Sequence, residues 1–177
     1  PILPQQKAQL YQRMPMGAAM KCFAIYQTPF WRKNGYSGQI VSDEFPVKVT
    51  FDVGNKDDDF GKILVFVEGN DARNFIDLSL EQRRKLVLEK LVKFFGQEAA
   101  QPLQYIDKCW TEEEWTRGCY VGLMAPNTMT QFGDKLRTNF KHIHFAGTET
   151  ATRWNGYLDG AIESGYSAAE EVLKTLS

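Results

Sequence analysis

The stretch Phe145–Ala161, with the sequence FAGTETATRWNGYLDGA, constrains the fold of this chain more than any other feature. A short apolar strand end runs here through a bend and into a helix whose first turn carries Gly156 and Gly160. The start of a helix leaves backbone N–H groups without intrahelical partners and carries the positive end of the helix dipole. The bend is therefore suited to electron-rich oxygens of a ligand, although glycines before a helix also serve as packing or capping devices.

Upstream of this stretch, apolar runs separated by turn residues predict a β-sheet with helices against it. The runs before residue 52 are expected to be antiparallel neighbours. Ile63–Val67 is entirely apolar, which predicts a central strand buried on both faces. The expected strands are Lys21–Tyr26, Gly38–Ser42, Val47–Phe51, Ile63–Val67, Leu103–Ile106 and Ile143–Ala146.

The sequence also predicts two long helices. Ser79 to Gln82 has the S-x-x-Q form of a capping box, and apolar residues then recur at helical spacing until Gly96. The second helix, Tyr157–Leu176, is expected to turn an apolar stripe inward. That stripe consists of Leu158, Ala161, Ile162, Ala168, Ala169, Val172 and Leu173. A short helix is expected within Met124–Arg137, and Thr111–Glu114 reads as a polar connection or a short helix.

Composition and charge exclude several classes of protein. With 43% hydrophobic and 24% charged residues, the chain has the composition of a soluble globular protein. Its net charge of −1, with scattered positive residues, argues against a nucleic-acid partner. No apolar run approaches the roughly 20 residues of a membrane span, so we expect no membrane anchor in this chain and a cytoplasmic or otherwise soluble location.

Cysteine and histidine usage argues against disulfides and metals. Cys22, Cys109 and Cys119 are too few and too odd in number for a disulfide framework, which favours a reducing compartment. His142 and His144 are the only histidines, and a metal site would need further ligands. We expect no metal, and the two histidines fit alternation along the last strand.

Several motifs follow one another along the whole chain. They are Met14–Gly17 before Lys21-Cys22, then Pro29–Trp31, Trp110, Gly118–Tyr120 and Met129–Gly133, and finally Gly147–Thr152 before Trp154 and Gly156-Tyr157. In wording and order they resemble the C-terminal portion of the flavin-containing monoamine oxidases. On this resemblance, which covers essentially its whole length, the chain is identified as a member of that family.

The resemblance implies an α+β fold in two parts. Residues 1–125 would belong to a substrate-binding domain, with a mixed or antiparallel sheet and covering helices. Residues 126–177 would supply the final strand and helix that complete a Rossmann-like FAD-binding domain. The G-x-G-x-x-G fingerprint for the ADP half of FAD does not occur in the sequence. We therefore expect a missing N-terminal dinucleotide-binding part to be the partner of this chain, and the isolated chain to be inactive; a homodimer of the full enzyme stays open.

The matching motifs also carry expected roles. Lys21, Tyr120 and Tyr157 match catalytic positions: the lysine holds a water against the flavin, and the tyrosines form an aromatic cage for the amine. Cys119 matches the position at which animal monoamine oxidases attach FAD covalently, and whether that bond forms here stays open because other relatives hold FAD without it. The expected flavin contacts are Trp110, Cys119, Thr148, Glu149, Trp154, Gly156, Tyr157 and Leu158. The structural alternative for the same residues is core packing, or for Lys21 an exposed strand end.

The resemblance implies an FAD-dependent amine oxidase. The reaction would be oxidative deamination of a primary amine to an aldehyde and ammonia, with oxygen reduced to hydrogen peroxide. Two alternatives stay open: an oxidase of the same fold that acts on polyamines or L-amino acids, and a non-catalytic structural fragment. An amino-acid oxidase would need an arginine for the substrate carboxylate, and no arginine in the sequence is obviously placed for that role.

Overall fold

The computed structural model describes residues 2–176, which form two compact units. The sheet unit is Ala18–Gly118, and the terminal unit joins the residues up to Gly17 with those from Cys119 onward. These units begin and end at other residues than the expected domains 1–125 and 126–177. The assignment of those domains to substrate binding and FAD binding stays a prediction.

Helices and an antiparallel sheet together make an α+β fold. In chain order the elements are α1 (Gln5–Gln12), β1 (Ala19–Tyr26), α2 (Phe30–Lys33), β2 (Ile40–Val41), β3 (Val49–Asp52), β4 (Gly61–Glu68), α3 (Gly69–Ile76), α4 (Leu80–Phe95), β5 (Gln104–Cys109), α5 (Thr128–Phe132) and α6 (Leu158–Leu176). Short 3-10 turns lie at Gln97–Ala100, Gly133–Lys135 and Thr148–Thr150.

The sheet unit contains one five-stranded antiparallel sheet with the strand order β2-β3-β4-β1-β5. As predicted, the apolar strand β4 is central. The register places Lys21 of β1 opposite Phe66 of β4 on one side and opposite Lys108 of β5 on the other. Lys21 is therefore an interior residue of a paired strand and not an exposed strand end.

One face of this sheet carries the core of the sheet unit. Alternate residues of β1 and β4 are buried there together with Trp31, Phe75 and Leu91 from the helices. The Trp31 ring packs against Phe95 with ring centroids 6.2 Å apart, and its indole N–H donates to Asp52 over 2.8 Å. Each large apolar side chain buried in this way stabilises the fold by about 1.5–3 kcal/mol. The sheet unit thus buries its own apolar residues.

Two predictions for this unit need correction. β4 alternates between buried and half-buried residues, because the core lies on one face only and leaves Leu64 and Phe66 on the other. The strands predicted at Gly38–Ser42 and Val47–Phe51 form as the shorter β2 and β3, although backbone pairing continues from the Ser42 N–H to the Lys48 carbonyl over 2.8 Å. Thr111–Glu114 forms turns, which is the polar connection of its two predicted alternatives.

Helix α4 confirms its predicted boundaries. The Ser79 hydroxyl accepts from the Gln82 N–H over 3.2 Å, and the Gln82 side chain accepts from the Ser79 N–H over 2.8 Å. The helix ends at Phe95, directly before Gly96. A bidentate ion pair joins Arg83 of α4 to Asp107 of β5, with N–O distances of 2.8 and 3.0 Å. This pair fixes the helix to an edge strand of the sheet.

The terminal unit joins two distant stretches of sequence by backbone pairing. The Cys119 N–H donates to the Gly17 carbonyl over 2.9 Å, and the Gly17 N–H donates to the Val121 carbonyl over 3.1 Å. The Leu123 N–H continues the pairing to the Pro15 carbonyl. The Met14–Gly17 motif therefore holds the segment that contains Cys119.

A buried lysine strengthens this unit. The Lys7 ammonium donates to the carbonyls of Lys135 and Thr138 over 2.9 and 2.5 Å, and it lies 3.8 Å from the Phe145 ring centroid. Burial lowers the pKa of Lys7 below its ordinary value. The carbonyls and the aromatic face compensate the cost of burying this charge.

The predicted last strand, Ile143–Ala146, does not form. Within residues 2–176 this segment makes only a bridge between Phe140 and Ile143. A β-strand needs a neighbouring strand for its backbone hydrogen bonds, and the described part of the terminal unit offers none.

Helix α6 forms as predicted, but its apolar stripe faces solvent in this chain. Leu158 is 85% exposed, Ile162 59% and Leu173 66%, whereas the buried residues of the helix are Gly160 and Ser164. The prediction of an inward stripe was therefore wrong for the described residues, because no other described element packs over Leu158, Ile162 and Leu173. None of the described helices combines the length and apolar character that a membrane crossing requires.

Candidate functional site

The bend between the Thr148–Thr150 turn and α6 is closed by side-chain hydrogen bonds. The Thr148 hydroxyl accepts from the Gly156 N–H over 2.6 Å and donates to the Tyr157 carbonyl over 2.9 Å. Gly156 has a φ of +88°, a left-handed conformation that favours glycine. Thr148, Gly156 and Tyr157, three of the predicted flavin contacts, are thus joined directly.

Two side chains that the sequence analysis did not select hold the carbonyls of this bend. The Asn155 amide donates to the carbonyls of Thr148 and Glu149, each over 3.0 Å. The Arg137 guanidinium donates to the carbonyls of Thr150 and Ala151 over 2.7 and 2.8 Å. No sequence pattern marks such contacts, because any residue with a donor at the right distance can make them.

Helix α6 is attached to the same bend at its first turns. Glu163 accepts from the Thr152 hydroxyl over 2.8 Å and from the Arg153 N–H over 3.1 Å, which lowers the pKa of Glu163 below its ordinary range. A Cβ added to Gly160 would lie 2.8 Å from the Arg153 carbonyl oxygen. Gly160 is therefore needed for close packing, as the sequence analysis allowed.

Glu149 links the bend to the segment after Cys119. Its carboxylate accepts from the Gly122 N–H over 2.8 Å. Beside this contact lies a largely apolar cavity of about 380 Å³, lined in part by Tyr11, Met14 and Phe145. Within residues 2–176 the backbone N–H groups of Thr148 and Glu149 donate to no other group. These two donors are compatible with a ligand that carries polar oxygens.

Cys119 and Tyr120 lie at the paired edge of the terminal unit. Cys119 is half-buried, Tyr120 is 51% exposed, and the peptide bond between them is cis. A Cβ on Gly17 would collide with the Cys119 carbonyl oxygen and lie 3.3 Å from the Tyr120 nitrogen. Gly17, which the sequence analysis quoted only as part of a motif, therefore permits the close approach of this segment.

The aromatic residues that follow the bend are open to solvent in this chain. Trp154 and Tyr157 are 65% and 66% exposed, and their rings meet edge to face with centroids 6.0 Å apart. Leu158 follows them as the first residue of α6. The exposed parts of both rings are accessible to a ligand.

Lys21 and Trp110 lie in the sheet unit. The Lys21 ammonium is 5.4 Å from the Phe66 ring centroid and 5.9 Å from the Trp110 ring. The Trp110 indole N–H is buried and has no acceptor within residues 2–176. A buried donor without an acceptor is costly, so this nitrogen fits contact with a polar atom of a bound group or of water.

The structure thus brings most of the predicted site residues together within one unit. Thr148, Glu149, Gly156 and Tyr157 share the hydrogen bonds of the bend, and Glu149 connects them through Gly122 to the segment of Cys119 and Tyr120. Trp154 and Leu158 lie on the same stretch of chain. Lys21 and Trp110 form a second group within the sheet unit. The role assigned to each residue stays a prediction.

The histidines are separate from this site. His144 pairs with Glu171 of α6 over 3.1 Å, and Asn139 donates to the same carboxylate over 2.6 Å. His142 is exposed. Among the described residues, no group of three or more histidine, cysteine, aspartate or glutamate side chains could hold a metal ion.

Comparisons with known proteins agree with the motifs. Residues 1–173 match the family model of the flavin containing amine oxidoreductases. The chain is 41% identical over 172 residues to the probable flavin-containing monoamine oxidase A of Dictyostelium discoideum, covering 97% of this chain and 38% of that protein.

Solved structures give the same picture. The chain is similar to a putrescine oxidase, with 32% identity and a TM-score of 0.92, and to the cyclohexylamine oxidase from Brevibacterium oxydans, with 34% identity and a TM-score of 0.92. Each match covers 99% of this chain and 39% of the other. The chain therefore spans about two fifths of the length of the proteins it matches.

Proposed function

Because the chain belongs to the flavin-containing amine oxidoreductase family, we propose that it forms part of an FAD-dependent enzyme that oxidises a primary amine. The products would be an aldehyde, ammonia and hydrogen peroxide. The observation that carries the proposal is the closed bend, in which Thr148, Glu149, Gly156 and Tyr157 are held together by hydrogen bonds. Each of these residues was predicted as a flavin contact from the sequence.

The remainder of such an enzyme would complete the terminal unit. The matched proteins are more than twice as long as this chain, and α6 leaves an apolar face uncovered. Its most exposed apolar residues are Leu158, Ile162, Tyr166, Leu173 and Leu176. Ile143–Ala146 is likewise a strand sequence without a partner strand in the described residues. We infer that an N-terminal dinucleotide-binding part pairs with this segment and covers α6, completing a Rossmann-like FAD-binding domain.

The residues present fit a flavin in this position. Thr148 and Glu149 would hold it through their free backbone N–H groups, and the turn after Gly156 would lie against its ring. Trp110 supplies a buried N–H without an acceptor in the described chain. A bound flavin supplies the two-electron acceptor for the amine and passes the electrons on to oxygen. Cys119 would be the point of attachment if the flavin is covalent.

The chain's own groups would bind and orient the amine. Tyr120 and Tyr157 expose aromatic faces, which attract an amine by about 0.5–1 kcal/mol in open sites and by more when water is excluded. In the sheet unit, the Lys21 ammonium, placed over the rings of Phe66 and Trp110, would hold a water molecule. We expect no separate acid and base pair to be required from this chain.

Two other substrate classes are compatible with the family. The similarity to a putrescine oxidase supports a diamine or polyamine, and the similarity to a monoamine oxidase supports a monoamine. For an L-amino acid, Arg137 is an unsuitable carboxylate partner, because its guanidinium already donates to two backbone carbonyls. Rates of peroxide formation with benzylamine, putrescine and an L-amino acid separate these classes.

The test of the proposal uses the full-length protein that contains this chain. We expect a yellow protein with the absorption spectrum of bound flavin, which forms peroxide and aldehyde in equal amounts from an amine. A protein that folds without flavin would contradict the oxidase and favour the structural-fragment alternative. A flavoprotein that oxidises none of the three substrate classes would contradict the proposed reaction, while the proposal that the protein binds FAD would stand.

The covalent bond needs a separate experiment. After precipitation with acid, a flavin attached through Cys119 stays with the protein pellet, whereas a non-covalent flavin stays in solution. Cys119→Ser should release the flavin, and Cys109→Ser, which changes a buried cysteine of the sheet unit, should not. Flavin in the supernatant of the unaltered protein would exclude the bond.

A further inference from the structure

Four consecutive backbone carbonyls of the bend are each held by a side chain. Asn155 uses both amide hydrogens for Thr148 and Glu149, and Arg137 uses two guanidinium nitrogens for Thr150 and Ala151. The Thr148 carbonyl also accepts from the Ala151 N–H of the same turn over 3.3 Å. Carbonyls at the end of a short turn otherwise have no partner within the turn and are left to water or to capping groups. Here the two side chains act as a clamp, which we call the carbonyl clamp.

The carbonyl clamp fixes the direction of the neighbouring N–H groups. In a planar trans peptide the N–H of one residue points opposite to the carbonyl of the residue before it. Holding the Thr148 carbonyl on Asn155 therefore directs the Glu149 N–H away from Asn155. That N–H donates to no group within residues 2–176, so its direction is available to a ligand.

The carbonyl clamp also restricts the side chains of Thr148 and Glu149, whose carbonyls it holds. Thr148 must keep its hydroxyl between the Gly156 N–H and the Tyr157 carbonyl, and Glu149 must keep its carboxylate on the Gly122 N–H. Rotation of either peptide plane would break these bonds. Asn155 lies in the bend itself, whereas Arg137 reaches it from a segment 13 residues earlier, so the two ends are held independently.

We propose that Arg137 and Asn155 are positioning residues, which hold the Thr148–Ala151 peptides in the orientation that binds the flavin. This rests on the proposed function. Neither residue touches the flavin in this account, and both act through Thr148 and Glu149. A staple that only stabilises the bend would make the same hydrogen bonds, so the test needs a readout that stability alone does not move.

Asn155→Asp is the sharpest variant because it is isosteric and replaces the donor by an acceptor. Above the pKa of the new carboxyl, an oxygen would face two carbonyl oxygens and repel both. On protonation the carboxyl regains one donor. The measurement uses full-length protein that also carries Cys119→Ser, so that the flavin cannot be covalently bound and can exchange. At pH 8 we expect Asn155→Asp to weaken the affinity for FAD by about tenfold or more. The defect should shrink as the pH is lowered to 5.

Arg137 gives an independent variant series. Arg137→Met removes both donors, and we expect FAD to bind about tenfold more weakly. Arg137→Lys keeps the charge but not the planar fork, so its FAD affinity should lie between those of the parent and of Arg137→Met. The matched control is Asn139→Asp, which makes the same chemical change at a hydrogen bond to Glu171 of α6 and touches none of the four clamped carbonyls. It should lower thermal stability and leave FAD affinity within about twofold of the parent.

The outcomes separate this proposal from the proposed function. If the parent protein binds no FAD, both fail. If the parent binds FAD and Asn155→Asp and Asn139→Asp lower the melting temperature alike without changing FAD affinity, the clamp is a structural staple and the proposal is overturned. A weaker affinity of Asn155→Asp that does not depend on pH overturns it as well. Weaker, pH-dependent binding with an ordered Arg137 series supports it.

Discussion

The two units of this chain differ in how far they bury their apolar side chains. The sheet unit buries Trp31, Phe75 and Leu91 almost completely among its own residues. The terminal unit leaves the stripe of α6 open, with Leu158 85% exposed. It buries few large apolar side chains, among them Leu10 and Leu136, and adds polar contacts such as those of Lys7 and the carbonyl clamp. The sheet unit thus covers most of its large apolar side chains with its own residues, whereas α6 of the terminal unit keeps an exposed apolar face within residues 2–176.

A core substitution in each unit should have very different effects. Phe75→Ala in the sheet unit removes a fully buried ring, and we expect the free energy of unfolding of the chain to fall by about 3–5 kcal/mol. Ile162→Ala on α6 should change it by less than about 0.5 kcal/mol, because that side chain is 59% exposed. Urea unfolding of both variants measures the difference. Comparable losses would mean that α6 packs within the chain after all.

The ion pair that fixes α4 to β5 tests whether the sheet unit is held from within. In Arg83→Met the nearly buried Asp107 carboxylate loses its partner, which should destabilise the sheet unit by about 3 kcal/mol. Arg84→Met, at an exposed position of the same helix, is the control and should be nearly neutral. The free energies of unfolding of both variants are measured by urea unfolding, followed by the circular dichroism of the helices. A neutral Arg83→Met would show that the helix is held by apolar packing alone.

Gly17 tests the terminal unit in the same way. Gly17→Ala pushes a methyl group against the Cys119 carbonyl, and we expect a loss of about 1–3 kcal/mol confined to the terminal unit. Gly165→Ala has open space around its Cβ in α6 and should stabilise the isolated chain by up to about 1 kcal/mol. Hydrogen exchange of the two units separates the effects. Faster hydrogen exchange in β1 and β4 of the Gly17→Ala variant would contradict a loss confined to the terminal unit.

The smallest effect concerns Glu44, which accepts hydrogen bonds from Lys90 and Lys93 of α4. The hydrogen bond from Lys90 is the largest cause that lowers the pKa of Glu44 to about 2 from an ordinary 4.5. A depressed carboxyl pKa stabilises the fold above the ordinary value, and this contribution is lost as the pH falls from about 4.5 to about 2. Melting temperatures of Glu44→Gln and the parent should therefore converge at low pH.

The control for this prediction is Glu89→Gln, at an exposed position whose carboxylate is 4.0 Å from Lys85. Its melting temperature should stay parallel to that of the parent over the whole range. If the Glu44 and Glu89 variants behave alike, the two lysines contribute nothing specific to the sheet unit.

Local signals in the sequence predicted the sheet unit well. The capping box at Ser79 fixes the start of α4 within a few neighbouring residues, and Gly96 its end, so no distant contact is needed to place them. The apolar run of β4 indicated the central strand. The same run could not predict that the strand is buried on one face only, because an apolar run is compatible with one or two covered faces.

The terminal unit shows where the sequence is insufficient. Periodicity identified the apolar stripe of α6 but wrongly predicted that it is buried, and the Ile143–Ala146 pattern predicted a strand that does not form within residues 2–176, because periodicity carries no information on what a face packs against. The motifs indicated the bend through Thr148 and Gly156. Arg137 and Asn155 were missed because contacts between side chains and carbonyls have no characteristic spacing.

The most direct test of the account is the accessibility of the α6 stripe in the full-length flavoprotein. Thiol labelling of Ile162→Cys is compared with that of Leu80→Cys in the sheet unit, since the two side chains are similarly exposed in this chain, at 59% and 55%. From the isolated chain to the full-length protein, we expect labelling at residue 162 to slow by about tenfold or more and labelling at residue 80 to change little. Equal labelling at the two positions in the full-length protein would contradict the account.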